Sequence, residues 1–160
     1  MSYKYCFPLL VLILFAILPL GAANVSIMVF ETGLDMEGDA NLHSGLWESG
    51  LLDVFFDSGH VVSNAPIMRL DYMPDEVFPA QAQDSLNEAR EGGMEYILSA
   101  QLNYANYTSK RPANVIVRLF RIQPFKMIFE ETFSDSKSKT SREEFEFVKQ
   151  AARKFPPRIK

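Results

Sequence analysis

Fourteen consecutive residues, Phe7 to Leu20, are all apolar or proline, and they set the terms for everything after them. Lys4 is the only charged residue ahead of Glu31, and the run closes on Gly21-Ala22-Ala23, small residues where a signal peptidase reads the chain. A basic start, an apolar centre and a small-residue exit are the parts of a secretory signal. The run is shorter than the ~20 residues of a comfortable membrane span. The expected organisation is a signal over residues 1–23 and a single globular domain over 24–160, periplasmic or secreted. An uncleaved signal is the competing reading and would be the only attachment to a membrane.

Cys6 is the only cysteine and precedes the apolar centre, whereas a lipoprotein signal needs its cysteine just after it. The exported part then has no cysteine, which excludes a disulfide, a thiolate metal site and a cysteine nucleophile. It must hold together by its core, and 137 residues (160 minus 23) are enough for one. Losing Lys4 moves the net charge from −4 to −5. Nucleic acid is a poor partner for such a chain, because phosphate binding rests on clustered Lys and Arg. The triplets Asn24-Val25-Ser26 and Asn106-Tyr107-Thr108 fit glycosylation. In a bacterial chain, the favoured source, they carry no meaning.

Val25 to Phe30 reads as a buried strand. The acidic stretch from Glu31 to Asn41 is a loop, and helical spacing follows over Leu42 to Asp57, stopped at Gly59. His60 to Ser63 is a short strand, Asn64 to Pro79 irregular, and Pro79 to Glu91 a helix ended by Gly92-Gly93. The period then changes to two. Tyr96, Leu98, Ala100, Leu102 and Tyr104 share a face, with Ser99, Gln101 and Asn103 opposite, as in a half-buried strand. Val115, Val117 and Leu119 form the next such set, and Met127, Phe129 and Phe133 a third, giving an antiparallel meander. Ser141-Arg142-Glu143-Glu144 fits a capping box ahead of a helix faced by Phe145, Val148, Ala152 and Phe155. The expected fold is α+β, a two-layer arrangement in the order β-α-β-α-β-β-β-α, with helices packed on one face of a mixed sheet.

This order has a familiar look. A first strand ending in Val29-Phe30-Glu31, a helix ending near Phe56-Asp57-Ser58-Gly59, and Gly92-Gly93-Met94-Glu95-Tyr96-Ile97-Leu98 leading into a meander resemble the amino-terminal domain of TolB. They also resemble the related periplasmic domains of the curli-secretion protein CsgG and the lipoprotein LpoB. The resemblance spans nearly the whole exported chain and rests on element order. It implies a non-enzymatic part of an envelope assembly that acts by contact with another envelope protein. The chain has no sequence for TolB's propeller and lacks the lipid-anchor cysteine of CsgG and LpoB.

Candidate chemistry is sparse. His43 and His60 are the only histidines, and no nearby Ser-Asp set completes a triad with either. Asp35, Glu37, Asp39 and Asn41 alternate like oxygen ligands for Ca²⁺. The EF-hand pattern fails, however: its glycine is misplaced and Leu46 stands where its final glutamate belongs. A solvated acidic loop that touches a partner is the better reading, and no metal or cofactor is expected. Tyr104 and Tyr107, with Asn103 and Asn106, are the second candidate contact region, because exposed aromatics beside amides suit recognition. Trp47 reads as core, and Arg118 and Arg121 as pointing to opposite faces. Arg153, Lys154, Arg158 and Lys160 complement the end of the last helix; the alternative is contact with an anionic membrane surface, against which the acidic net charge argues. The expected function is therefore a protein-interaction module in an envelope assembly for secretion, motility or cell-wall work. The alternative is a small-ligand or glycan carrier, with a pocket lined by Tyr104, Tyr107 or Trp47.

Overall fold

The computed structural model describes residues 21–35, 39–71, 78–134 and 136–159. Strand β1 (Asn24–Thr32) is central, and every residue after Asn24 in it is buried. Helix α1 (Leu42–Asp57) follows, capped by the Asn41 side chain, which accepts from His43 N–H at 2.9 Å. The strands β2 (Val61–Asn64) and β3 (Met68–Leu70) both run parallel to β1 and share one of its edges. A single-turn 3₁₀ helix (Ala80–Ala82) leads into α2 (Gln83–Glu91). Strand β4 (Tyr96–Asn103) returns parallel to the other edge of β1. The meander β4, β5 (Asn114–Arg121) and β6 (Lys126–Ser134) is antiparallel, and α3 (Ser141–Ala152) closes the fold. The sheet order is β2-β1-β4-β5-β6, with β3 beyond β2 on β1. Among the described residues no helix is long and apolar enough to cross a membrane.

The α+β class and the element order are those expected, with three refinements. The short β3 lies inside the stretch read as irregular. Three residues are too few for a period to show, and Pro66 separates them from β2. The helices are also divided between the two faces. Helices α1 and α3 cover Val25, Ile27, Val29, Leu98 and Val117, while α2 lays Leu86 and Ala89 against Met28, Phe30 and Ile97 on the reverse. The reason is that β1 and β4 are apolar on both faces, as parallel strands usually are, and an uncovered face would leave Phe30 and Ile97 in water. Ser99 and Gln101 are buried too, so β4 is a fully buried strand instead of a half-buried one.

The third refinement is a register break in the β5–β6 ladder between Leu119 and Phe120. It pairs Met127 with Phe120, moving Met127 off the face of Phe129 and Phe133 and leaving it exposed. The α3 cap sits one residue early. Thr140 Oγ1 accepts from Glu143 N–H at 3.2 Å, and Glu143 Oε2 reaches back to Lys139 N–H at 2.7 Å. Trp47 is in the core as expected, against the rings of Phe133 and Phe147.

Candidate functional site

Strands β1, β3 and β4 all end on the same side of the sheet, and a polar frame is built there. Glu31, the penultimate residue of β1, is fully buried. One carboxylate oxygen accepts from Arg69 Nε at 2.8 Å, the other from Asn41 N–H at 2.7 Å. The register places Glu31 beside Arg69 because β3 pairs Glu31 with it directly. The Arg69 guanidinium continues outward, donating to the Asp35 carbonyl at 2.7 Å and to the Asp39 carbonyl. The acidic loop is thereby folded around a resident cation, with two main-chain carbonyls turned inward.

Next to this frame, Thr32 Oγ1 donates to Asn103 Oδ1 at 2.7 Å, tying the ends of β1 and β4. Gly33 follows at φ +82°, and a Cβ built there would lie 2.1 Å from the Tyr104 carbonyl oxygen, so only glycine allows the two chains to part this closely. The Tyr104 hydroxyl is buried against Ser44 Oγ at 2.9 Å. Burial pushes the Tyr104 phenol above its ordinary range, with the Ser44 hydrogen bond opposing and the Glu31 and Glu144 carboxylates adding to the rise.

The candidate contact residues fare differently. Residues 33–35 and 39–41 and the segment after Tyr104 are brought together at this one end. Asp35 and Asp39 are exposed, Asn41 is committed to the α1 cap and to Glu31, and Glu37 lies outside the described residues. Tyr104 is only 5 % exposed, so it supports the surface from beneath instead of forming it. Tyr107 is 74 % exposed, at the tip of a turn in which Asn106 Oδ1 accepts from Thr108 N–H at 3.0 Å. Leu42 is a further exposed apolar side chain at this end. Glu31 and Arg69 escape a reading by period, because Glu31 sits in an apolar run and Arg69 in a strand of three residues.

His43 Nδ1 lies 2.6 Å from Glu144 Oε2, and Arg111 Nε lies 3.8 Å from the same oxygen. A histidine on a carboxylate is a catalytic arrangement only where a substrate can reach it. His43 lies on α1 and Glu144 on α3, so the pair ties the two helices together, and a hollow of about 10 Å³ beside Glu144 is lined also by Trp47, Val115 and Phe147. His60 at the far end packs on the Phe55 ring, and burial lowers its pKa while Glu95 works against that fall. Among the described residues no group of three His, Cys, Asp or Glu could hold a metal ion. An open hollow of about 520 Å³ lies at the opposite end, lined by Arg90, Glu95, Tyr96, Arg121 and Gln123. Tyr104, Tyr107 and Trp47, the expected lining of a carrier's pocket, are not among the residues that line it.

Fold and frame together define a small mixed-sheet α+β domain with helices on both faces and a braced loop end. The chain belongs to the family whose model, described as "Uncharacterised protein", matches residues 25–151. No curated protein matches it in sequence. Among solved structures it is similar to a point variant of the PelC dodecamer from Paraburkholderia phytofirmans, at TM-score 0.52 and 13% identity, over 82% of this chain and 87% of that one. It is also similar to the LpoB C-terminal domain from Escherichia coli, at TM-score 0.46 and 13% identity, over 81% of this chain and 94% of that one. TolB from Acinetobacter baumannii gives TM-score 0.41 and 14% identity, over 88% of this chain and 28% of that one. At these identities the likeness is one of fold.

Proposed function

We propose that this is an exported, non-enzymatic envelope protein that binds another envelope protein through the end built by the 33–41 loop and the turn that follows Tyr104. The observation that carries this reading is the way Arg69 gathers the acidic loop. With the Asp35 and Asp39 carbonyls held by the guanidinium, the exposed loop is presented on a buried ion pair instead of hanging free. Tyr107 stands out beside it on a chain fixed from below by the Tyr104–Ser44 bond. An exposed aromatic on a braced rim offers a partner the kind of area that contact surfaces use. Export is read from the signal-like residues 1–23, and the fold shared with PelC, itself a dodecamer, is compatible with work in an assembly.

The test is a crosslink inside the cell. A photoreactive residue is placed at Asp39, and separately at Tyr107, with Lys137 as control. One reproducible protein captured from the two test positions and not from Lys137 is the expected result. A folded, exported protein that captures nothing from either position sinks both contact regions.

A further inference from the structure

The large apolar side chains left in water gather at the two ends of the sheet. Leu42 and Tyr107 stand at the end described above; Phe56, Val61, Phe125 and Met127 stand at the other, Phe56 being 70 % and Val61 56 % exposed. That second end is also where the chain enters the domain. The Ala23 carbonyl accepts from Val61 N–H at 3.0 Å, and Asn24 donates its main-chain N–H to Glu95 Oε1 at 3.1 Å. The apolar run Phe7 to Leu20 lies directly upstream. Three residues, Gly21 to Ala23, separate it from β1, and they reach at most ~10 Å when extended.

The charges that meet at this end balance, Arg90, Arg121 and Lys126 against Asp57, Glu91 and Glu95, but two of the cations are concentrated in one cleft. In the open cleft of about 520 Å³, two guanidiniums, Arg90 and Arg121, face one carboxylate, and that carboxylate, Glu95, already accepts from Asn24. Among the described residues Arg121 has no ion-pair partner. Arg121 also borders a neighbouring hollow of about 210 Å³ that contains Lys126 and Met127. Opposing charges stand at the margin, Asp57 at the end of α1 and Glu91 at the end of α2. Phe125 is held in place by stacking on Phe120 at 5.3 Å, so its exposed part is a fixed feature of the surface.

We infer that this end faces a membrane and that anionic phospholipid is its ligand, a lipid phosphate being received between Arg90 and Arg121. Guanidinium groups suit phosphate because their planar forks match its oxygens. Exposed Phe, Val and Met beside cations are the composition of an interfacial surface. The upstream run bears on the occupant where the signal is left uncleaved, because it then holds this end within a few residues of the lipid; after cleavage the cleft and its apolar margin carry the inference alone. The inference does not rest on the partner-binding reading, which concerns the opposite end.

The test uses the full chain, exported and purified, with its amino terminus fixed by mass spectrometry. It is floated with vesicles of phosphatidylcholine alone or mixed with phosphatidylglycerol, and the ratio of the two partition values is read. The expected result is a preference for the anionic vesicles that high salt abolishes. Each cation near an anionic surface contributes about five-fold, so Arg90→Gln with Arg121→Gln lowers the ratio about 25-fold. Lys110→Gln, an exposed cation on the segment after Tyr104 at the opposite end, leaves the ratio unchanged. Both arginines are exposed, and an unaltered melting curve shows that the double variant is folded. Equal partition into both vesicles, or a double variant that partitions like the parent, overturns the inference. So does saturable binding of inorganic phosphate at Arg121 without vesicle binding, which makes the cleft a pocket for a free anion.

Discussion

A Cβ built on Gly50 lies 2.6 Å from a Val148 methyl carbon, and that single distance explains a glycine in the middle of α1. Alanine there gains ~1 kcal/mol in helix propensity. It also overpacks a core contact, at a cost of ~1–3 kcal/mol, and valine is too stiff at χ1 to swing aside. Gly50→Ala is therefore expected to lose about 1 kcal/mol net. Val148→Ala should cost less in that background than in the parent, because it vacates the space the new methyl needs. Urea melts of the two single variants and the double variant read the coupling, and simply additive costs would remove this explanation. At Glu31 the issue is charge. Glu31→Gln takes the carboxylate away from the Arg69 guanidinium and is expected to cost about 3 kcal/mol, the low end for buried pairs because Arg69 keeps 15% of its side chain in water and still donates to the Asp35 and Asp39 carbonyls. A melt within error of the parent would show that the frame is not held by this pair. His60 gives a pH dependence. Its folded pKa is below the ordinary 6.5, so below pH 6.5 the unfolded chain takes up a proton that the native state resists. Stability therefore falls as pH drops from 6.5 through the folded value, and His60→Gln flattens that slope in denaturant titrations.

At the scale of elements, local signals and packing divide the work. The α3 cap is local chemistry: Thr140→Ala removes the acceptor for Glu143 N–H and is expected to cost about 1 kcal/mol in chemical denaturation. No measurable loss would mean that the end of α3 is held by the His43–Glu144 strut alone. The sequence places the box one residue later, at Ser141, because both Thr140-Ser141 and Glu143-Glu144 satisfy the same spacing; only the chain direction entering α3 decides between them. The boundaries of α1 are legible because the apolar spacing is helical and Gly59 stops it, while the Asn41 cap emerges only in the structure. The side of the sheet taken by α2 is not legible, because Leu86 and Ala89 make the same stripe whichever face they meet. Met127 is misread for a related reason. Alternation predicts its face only while the ladder is regular, and the break at Leu119/Phe120 is set by how β5 and β6 meet.

Across the whole molecule, β1 is flanked on both edges along most of its length and β4 lies between β1 and β5, while β6 has one open edge. Amide exchange should therefore be slowest over Ile27–Phe30 and Leu98–Leu102 and much faster on the outer edge of β6. Protection greatest in β6 would contradict the sheet order. The two ends of the sheet differ in build. One is a buried ion pair wrapped in an acidic loop with Tyr107 beside it; the other is an open cationic cleft where the chain enters. Asp39 and Tyr107 fall at the first end, as two separate sequence stretches that no periodicity connects. Helices α1 and α3 meet with Gly50 and Val148 face to face, which sets how closely the two helices pack.

The sequence by itself determined the α+β class, the order of elements, the meander and the apolar stripes, because each depends on residues within a few positions of one another. It also marked the acidic loop and the Tyr104–Tyr107 segment as unusual. What only the tertiary structure decided is which of those residues face water and what they touch. Tyr104 is buried and Tyr107 exposed because Ser44, 60 residues earlier, supplies a partner for one hydroxyl and not the other. Glu31 meets Arg69 across 38 residues because two parallel strands register there. Such pairs are fixed by strand register and helix docking, which sum contributions from the whole core, and no local spacing encodes that sum.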